Sequence, residues 1–408
     1  MNISVICIGD ELLKGATVNT NLAFIGNELL SIGIIPFNSM TVPDEKNALT
    51  GALDYLTPLS DVIITVGGLG PTADDITKNV IAGYFKRCFR KDEKAAENII
   101  DRWNRFGRRV ASETLMSQAL VPEGAEVIYN KVGTAPGIWM ETEKDKLLIM
   151  LPGPPVELKP MVSDFVVPRL KEKLKVKLHT ELFHVVGLPE SLVEGKMLPV
   201  ISEMKDLSVA YCASPGEVRV FLTSLNKDTI EKMSAEMKRI FPENILLSAH
   251  NSLVEEISQL LRKNKLTAAT AESCTGGMIA AAITELPGSS DIFKGSIVAY
   301  SNEVKENILG VRHETLEKYG AVSSECASEM LDNVCDKSNT ETGIAVTGIA
   351  GPGGGGQKPV GLVYIAVRFK DRKIVREYNF LGNREMIRQR TVSMAFNLFR
   401  SLILNYSI

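Results

Sequence analysis

The amino-acid sequence predicts an α/β protein in which two three-layer α/β/α domains are joined by a small α+β module. Apolar strand-like runs alternate with helical patterns up to about residue 170 and again beyond about residue 249, whereas the pattern differs between residues 178 and 247. Such alternation is typical of mainly parallel sheets covered by helices on both faces. A length of 408 residues is also too great for one ordinary core. We therefore expect domains at residues 1–170, 171–248 and 249–408.

In the first domain, apolar runs predict buried strands and amphipathic segments predict helices. The helix from Asn21 to Ile32 is expected to end at Gly33, because glycine readily adopts the left-handed conformation found at helix ends. The other predicted elements are strands at Ile3 to Ile8, Asp61 to Val66 and Lys146 to Leu151, and a helix at Lys94 to Phe106.

In the middle module, Pro215 and Gly216 lie between two strand-like runs, Leu207 to Ala213 and Glu217 to Ser224, which predicts a hairpin. An extended run at 180–186 and helices at 189–204 and 227–241 complete the module. The last domain is expected to begin with a helix at 252–263 and to end with one at 385–404. Its predicted strands are 266–271, 296–300, 343–347, 362–369 and 374–380.

Composition excludes several classes of function. The chain has 46 Lys and Arg against 49 Asp and Glu, so no basic excess favours a nucleic-acid partner. Its six cysteines are scattered without a C-x-x-C pair, which is typical of reduced thiols and not of a zinc site or a disulfide framework. No apolar run approaches the ~20 residues that span a membrane, and no signal-peptide pattern is present. We expect a cytoplasmic protein that does not bind membranes.

Three strand ends of the first domain carry glycine together with acidic residues or proline. Glycine lets the backbone approach a ligand closely, and backbone amides can bind phosphate. Asp74 and Asp75 are hard oxygen donors suited to a divalent metal that bridges such a phosphate. One such turn alone is typical of a simple tight turn, but three at the carboxyl edge of a sheet favour a ligand site. The predicted binding residues are Gly9, Asp10, Glu11, Gly67, Gly68, Gly70, Pro71, Thr72, Gly153 and Pro154.

The strongest candidate for catalysis is Ser273, which lies in a Ser-Cys-Thr-Gly-Gly turn between an apolar run and a helical one. A strand, turn and helix place this hydroxyl beside unpaired helix amides, which favour negative charge. Ser273 can then act as a nucleophile, with the amides near Cys274 to Gly276 as an oxyanion site beside it. Considered alone, a serine at this position is more often a helix cap.

The residues alone do not decide which group activates the nucleophile. Lys305 lies one turn into a helix that Ser301 is expected to cap, and burial can lower the pKa of a lysine enough to make it a base. Pairs of serine and lysine are an accepted variant of the catalytic triad. His313 is a further partner that can meet a serine in space. Cys274 and Ser301 are rival nucleophiles, since a thiol is more reactive and Ser301 shares a helix face with Lys305.

A glycine-rich loop follows the third strand of the last domain. Six glycines lie between Gly348 and Gly356. This composition is typical either of a flexible surface loop or of a loop that wraps a phosphate. It matches neither a P-loop nor the dinucleotide fingerprint.

Together these motifs resemble the full-length CinA proteins, the competence/damage-inducible family, over essentially the whole chain. The motifs at 9–13, 67–77 and 151–155 are similar to that family's domain related to molybdenum-cofactor biosynthesis proteins. The middle module resembles its KH-like domain but has no Gly-x-x-Gly loop, so no RNA partner is expected. The motifs at 271–277, 299–305 and 348–356 are similar to the PncC-type nicotinamide-nucleotide amidase.

For the C-terminal domain, the resemblance implies hydrolysis of the carboxamide of nicotinamide mononucleotide to nicotinate mononucleotide and ammonia, without a cofactor. Ser273 is then the nucleophile, Lys305 the base and Tyr300 a positioning or proton-relay group. The expected substrate contacts are Cys274, Thr275, Gly276, Gly277, Thr347, Gly348, Gly351, Gly353 and Arg384.

For the N-terminal domain, the resemblance implies cleavage of the pyrophosphate of ADP-ribose with a divalent metal, Mg²⁺ or Co²⁺. The expected metal ligands are Asp44 and Asp75, with Asp10, Glu11 and Asp74 as further candidates. Two other functions stay open: this domain can bind molybdopterin or a nucleotide without hydrolysing it, or the chain can act mainly as an interaction protein in competence or DNA repair. We also expect a homodimer.

Overall fold

The structure, a computed structural model, describes residues 1–105, 112–142, 146–174, 178–247, 252–353 and 358–406. The chain divides into two compact units, one of residues 1–180 with 223–227 and one of residues 181–222 with 228–408. The predicted domain boundary at residue 248, the predicted helix end at Phe106 and the last glycines of the glycine-rich loop, 354–356, lie outside the described residues.

The first unit is built around a sheet that is parallel in its centre. Its strands are β1 Ile3–Ile8, β2 Asn38–Val42, β3 Val62–Val66, β4 Phe89–Lys91, β5 Leu120–Pro122, β6 Glu126–Ile128, β7 Gly137–Glu141 and β8 Leu147–Leu151. The order β2–β1–β3–β8–β7–β6 pairs β1 with β2 and β3, and β3 with β8, in parallel. Strands β7 and β6 continue the sheet in antiparallel pairing, while β4 and β5 form a separate ribbon.

Helices cover both faces of this sheet. They are α1 Asp10–Leu13, α2 Thr20–Leu30, α3 Lys46–Leu56, α4 Thr77–Tyr84, α5 Glu93–Arg105, α6 Glu113–Met116, α7 Pro155–Met161 and α8 Val167–Lys173. Ile3 and Val5 pack on the face covered by α2 and α7, whereas Ile6 and Ile8 pack against α3 and α4. Because every residue of β1 is buried, the strand reads as one apolar run in the sequence.

The middle module is a three-stranded sheet in the order β10–β11–β9 with two helices. Gly216 adopts φ 83°, the left-handed conformation that its turn requires, and the predicted hairpin is confirmed. The elements are β9 His179–Val186, α9 Glu190–Ile201, β10 Leu207–Ser214, β11 Glu217–Ser224 and α10 Lys227–Ile240.

The last domain is again a sheet between two helical layers. Its helices are α11 Leu253–Asn264, α12 Met278–Thr284, α13 Asn302–Val304, α14 His313–Tyr319, α15 Ser324–Ser338 and α16 Arg384–Tyr406; its strands are β12 Ala268–Glu272, β13 Phe293–Val298, β14 Thr342–Gly348, β15 Leu362–Phe369 and β16 Arg372–Asn379. In the order β13–β12–β14–β15–β16, the first three strands are parallel, so β12 ends between two parallel neighbours. One face packs on α11, α12 and α16, and the other on α15. This arrangement confirms the α/β class.

None of the helices in the described part of the chain combines the length and the apolar character needed to cross a membrane.

Candidate active site

Ser273 lies directly after β12, at the carboxyl edge of the parallel part of the sheet. Its backbone N–H donates to the carbonyl of Val346 at the end of the neighbouring strand, at 3.0 Å. The turn that follows passes through Gly276 and Gly277 at φ 62° and 95°, a conformation that side chains with a Cβ disfavour. Arg388 of α16 holds the same turn by donating to the carbonyl of Thr275 at 2.8 Å. Ser273 is thus fixed from both sides.

The amides at the start of α12 are not free, which excludes the helix amides from the predicted oxyanion site. Glu272, fully buried at the end of β12, accepts hydrogen bonds from the amides of Gly277, Ile279 and Ala280 at 2.8 to 3.1 Å. The hydroxyl of Thr275 donates to the same carboxylate at 2.7 Å. A carboxylate at a helix N-terminus satisfies the orphan donors and the helix dipole at once. Thr275, Gly276 and Gly277 therefore serve the turn, and they do not line the cavity beside Ser273.

Lys305 is brought to Ser273 from the next strand–helix connection. It begins a π-helical turn that follows α13, and only 2% of the residue is exposed. Its Nζ lies 3.1 Å from Ser273 Oγ, 2.8 Å from the carbonyl oxygen of Ala299 and 3.3 Å from that of Tyr300. Burial lowers the pKa of Lys305 from its ordinary value, because removal from water penalises the ammonium form.

The contacts of Lys305 suit both protonation states of its amine, since an ammonium can donate to all three oxygens. The carbonyls of Ala299 and Tyr300 can only accept hydrogen bonds, whereas the Ser273 hydroxyl can also donate one. A neutral amine has two N–H donors and one lone pair. When the amine is neutral, its two donors match the two carbonyls, and its lone pair can then accept the proton of Ser273.

The structure separates Ser273 from its rivals. Cys274 is buried, and burial raises the pKa of its thiol to about 12, so the thiolate is disfavoured. Ser301 is exposed and caps α13 by accepting the amide of Val304 at 3.2 Å, as predicted. His313 is exposed on α14, where it pairs with Glu306 and Glu317 and does not line the cavity.

A cavity of about 490 Å³ opens beside the Ser273–Lys305 pair. Most of the residues predicted for this site line it, namely Ser273, Cys274, Tyr300, Lys305, Thr347, Gly348, Gly351, Gly353 and Arg384. Further residues complete the lining: Asn302, Ile349 and Ala350 lie within the motifs at 299–305 and 348–356, whereas Gly320, Ala321, Val322 and Lys358 lie outside any motif. The volume is in the range of ordinary small-molecule sites.

Tyr300 and Arg384 form one side of the cavity. Tyr300 is 59% exposed, and its hydroxyl accepts a hydrogen bond from Arg384 at 2.7 Å. Arg384 also donates to the carbonyl of Gly351 at 2.7 Å, which ties α16 to the glycine-rich loop. The phenol is therefore engaged by Arg384, whereas Tyr300 reaches Lys305 through its backbone carbonyl.

Sequence reasoning missed two charged residues that shape this site. Glu272 ends an otherwise apolar strand just before a Gly-Gly turn and a helix, and an acid at such a position is a signal for helix capping. Lys358 is the first charged residue after the glycine-rich loop, but nothing in its spacing connects it to Ser273. The segment from Gly320 to Val322 carries no motif at all.

The three glycine turns of the first unit also lie close together. The amide of Gly67, after β3, donates to the carbonyl of Leu151 at the end of β8, at 3.0 Å. A Cβ placed on Gly67 would lie 2.3 Å from the carbonyl oxygen of Ile8, and one on Gly153 would lie 3.6 Å from the Cα of Gly67. The turns after β1, β3 and β8 are thus adjacent, with Gly9, Gly67 and Gly153 at their centre. Pro154 precedes α7, whose first residue is Pro155.

Asp75 closes the loop that contains Gly70, Pro71 and Thr72. Its carboxylate accepts the amide of Gly70 at 2.7 Å, and both the amide and the hydroxyl of Thr72 at 2.9 and 2.6 Å. Gly68 turns into α4, where its carbonyl accepts the amide of Thr77. Both oxygens of Asp75 are therefore occupied by the loop that it stabilises.

Asp44 follows β2 and lies in an acidic surrounding beside Asp10, which follows β1. It accepts the amide of Asp10 at 3.0 Å, while Lys14 pairs with the Asp10 carboxylate at 2.6 Å. Burial raises the pKa of Asp44, and the charges of Glu11, Asp10 and Asp74 add to this effect. Within the described ranges, no group of three or more His, Cys, Asp or Glu side chains is arranged to hold a metal ion. These donors do not fit a preformed metal centre, so metal binding by Asp44 and Asp75 stays a prediction.

The fold and the site together define an α/β protein with a buried serine–lysine pair in its last domain and converging glycine turns in its first. Residues 250–403 match the family described as CinA C-terminal domain, and residues 4–172 match the family described as probable molybdopterin binding domain.

Similar proteins match this chain over essentially its full length. The chain is 38% identical to a protein of Clostridium botulinum (strain Okra / Type B1) over 98% of this chain and 99% of that protein. It is 39% identical to one of Thermoanaerobacter pseudethanolicus over the whole of both chains. Both are named competence-damage inducible proteins. A crystal structure of CinA from Thermoplasma acidophilum, described as of unknown function, is 36% identical over 40% of this chain and 95% of that chain, with a TM-score of 0.38. The chain belongs to the CinA family of competence-damage inducible proteins.

Proposed function

We propose that the C-terminal domain is a nicotinamide-nucleotide amidase that converts nicotinamide mononucleotide to nicotinate mononucleotide and ammonia. The observation that carries this proposal is the buried amine of Lys305, whose Nζ lies 3.1 Å from Ser273 Oγ at the wall of a cavity. A buried, unprotonated lysine is a competent base for a serine nucleophile.

The reaction begins when Lys305 Nζ takes the proton of Ser273 as Oγ attacks the carboxamide carbon. The carbon–nitrogen bond then breaks, and the proton held by Lys305 passes to the leaving amine, which departs as ammonia. This leaves an ester on Ser273. A water molecule, deprotonated by the neutral Lys305, attacks the ester carbon and releases the carboxylic acid, and the proton returns from Lys305 to Ser273.

The oxyanion of each tetrahedral intermediate needs donors other than the amides of α12. Ser273 donates to Val346, and Gly276 donates to the carbonyl of Ser273. Among the described residues, the amides of Cys274 and Thr275 have no hydrogen-bond acceptor apart from the thiol of Cys274 itself. Cys274 also lines the cavity. We assign its amide as the oxyanion donor, a contribution worth roughly 10²–10³ in rate for one donor.

Ammonia release from nicotinamide mononucleotide by the full-length protein tests this function. The wild type is expected to release ammonia and nicotinate mononucleotide in equal amounts, and Ser273→Ala to release neither. Ser301→Ala is the matched control, because it removes an exposed capping hydroxyl from the neighbouring helix. Equal activity of Ser273→Ala and wild type would contradict the proposal.

For the N-terminal domain, we propose that the edge formed by Gly9, Gly67 and Gly153 binds a nucleotide and that the domain cleaves ADP-ribose when Mg²⁺ or Co²⁺ is added. The close approach of these three turns supports binding, because glycines without a Cβ let a ligand come close to the backbone. Release of AMP from ADP-ribose by the full-length protein with each metal tests hydrolysis. ADP-ribose binding without AMP release would instead indicate a binding module. The homodimer stays a prediction.

A further inference from the structure

Lys358 stands out in the amidase cavity because the described part of the chain provides no carboxylate for its charge. It is half-buried, lines the cavity, and forms no ion pair with any described residue. Arg384 lines the same cavity and donates to the Gly351 carbonyl and the Tyr300 hydroxyl, with no acidic partner among the residues that the structure describes. None of the lining residues is an aspartate or a glutamate. The cavity is therefore positive and favours an anion.

The backbone holds Lys358 in a fixed place. Its Nζ donates to the carbonyl of Tyr319 at 3.0 Å and to that of Val322 at 2.5 Å. Tyr319 and Val322 stand at the two ends of a short segment whose residues 320–322 also line the cavity. The hydroxyl of Thr347 anchors this segment by donating to the Ala321 carbonyl at 2.7 Å. An ammonium has three donors. The third has no acceptor among the described residues and remains for a ligand.

We propose that Lys358 is a specificity-determining residue that binds the phosphate monoester of the substrate, so that the site selects nucleotides over nucleosides. The inference rests on the proposed amidase function of the same site. A pyridinium nucleoside is a cation, whereas its 5′-phosphate is a net anion. A positive cavity repels the first and attracts the second, and a lysine ammonium is a suitable point-charge partner for phosphate.

The first test compares nicotinamide mononucleotide with nicotinamide riboside as substrates of the full-length protein. Lys358→Met is expected to raise KM for the mononucleotide by roughly 10- to 100-fold, the range for a hydrogen bond to a charged group, while kcat changes by less than about 3-fold. Turnover of the riboside is expected to stay the same or to improve. Lys358→Arg should recover part of the preference.

Two further variants separate charge from folding. Lys358→Gln keeps N–H donors for the carbonyls of Tyr319 and Val322 but removes the charge, so it should show the same loss of preference. Lys294→Met removes a charge from an exposed position of β13 outside the cavity and should leave both KM values unchanged. An unchanged ratio of kcat/KM for the two substrates in the Lys358 variants overturns the proposal.

Calorimetric binding to Ser273→Ala distinguishes this proposal from the amidase itself. If the wild type releases no ammonia but Ser273→Ala binds the mononucleotide more tightly than Ser273→Ala/Lys358→Gln does, the amidase function fails and the role of Lys358 stands. If the wild type is active but the Lys358 variants bind the mononucleotide normally, only the role of Lys358 fails. Absence of both turnover and binding overturns both.

Discussion

The Nζ atom of Lys305 lies 3.1 Å from the Oγ atom of Ser273, and both residues are almost completely buried. Burial lowers the pKa of Lys305 below its ordinary value of 10.5. A base acts in its neutral form, so kcat/KM should rise as pH rises through the lowered pKa and level off above it. Below that pKa, activity should fall about tenfold per pH unit, because the amine becomes protonated.

Initial rates of ammonia release across the pH range check this dependence. The acid limb should have its midpoint below the ordinary range of lysine, and Lys305→Met should lose roughly 10²–10⁴ of kcat/KM at every pH. Lys294→Met, at an exposed position of β13, should show the same pH dependence of kcat/KM as the wild type. A midpoint at or above the ordinary lysine value would show that Lys305 is not the base.

Glu272→Gln should destabilise the last domain and lower its activity together. The carboxylate accepts four hydrogen bonds, from the Thr275 hydroxyl and three amides of the turn and α12. An amide in its place directs an NH₂ group at some of these donors, and buried donors without acceptors are costly. We expect a loss of roughly 2–4 kcal/mol in unfolding free energy, measured by urea denaturation, with a lower kcat because Ser273 begins the same turn.

The control for this prediction is Glu285→Gln, at the exposed end of α12. Its effect should stay within about 0.5 kcal/mol, as for most surface substitutions. Equal stability of Glu272→Gln and Glu285→Gln would mean that the carboxylate does not hold the turn.

Gly67→Ala and Gly51→Ala should have opposite effects. Gly67 has φ 105°, and an added Cβ would lie 2.3 Å from the carbonyl oxygen of Ile8, so the change should cost more than about 1 kcal/mol. Gly51 lies inside α3 with no heavy atom within 4 Å of an added Cβ. There, alanine should stabilise by roughly 0.5–1 kcal/mol. Thermal unfolding of both variants checks this, and a similar shift for both would contradict the turn geometry.

The sequence predicts the elements of the fold well where burial is continuous. Strand β1 has the predicted bounds, Ile3 to Ile8, because all of its residues are buried and apolar or small. The strand predicted at 296–300 instead covers Phe293–Val298. Its bounds follow from pairing with β12, including a shift of register between Ala268 and Ala269, and pairing partners distant in sequence leave no local signal.

Contacts between residues distant in sequence also explain which parts of the site could not be predicted. The strand, turn and helix around Ser273 follow from local pattern, since glycine and apolar periodicity determine them. Whether the amides of α12 are free depends on whether the turn brings them to the Glu272 carboxylate, and that turn passes through two left-handed glycines. Lys358 joins the cavity through the carbonyls of Tyr319 and Val322, which precede it in the chain by one helix, α15, and one strand, β14.

Arg400→Met should destabilise the second unit strongly, because it leaves a buried charge without its partner. Arg400, 1% exposed on α16, forms an ion pair with the buried Glu256 of α11 and donates to the carbonyls of Glu243 and Ile245. Breaking one side of such a pair costs roughly 3–5 kcal/mol. Glu256 also accepts the amide of Leu247, so this cluster joins the segment after α10 to both helices.

The double variant Arg400→Met/Glu256→Leu is the matched comparison. It removes both charges at once, and replacing a buried pair by apolar residues of similar size is often close to neutral. The double variant should therefore unfold at a higher urea concentration than Arg400→Met alone, although the Glu243 and Ile245 carbonyls still lack their donors. The single variant Glu256→Leu completes the comparison. If the losses in unfolding free energy of Arg400→Met and Glu256→Leu simply add in the double variant, the cost of Arg400→Met comes from its bonds to those carbonyls and not from the uncompensated charge of Glu256.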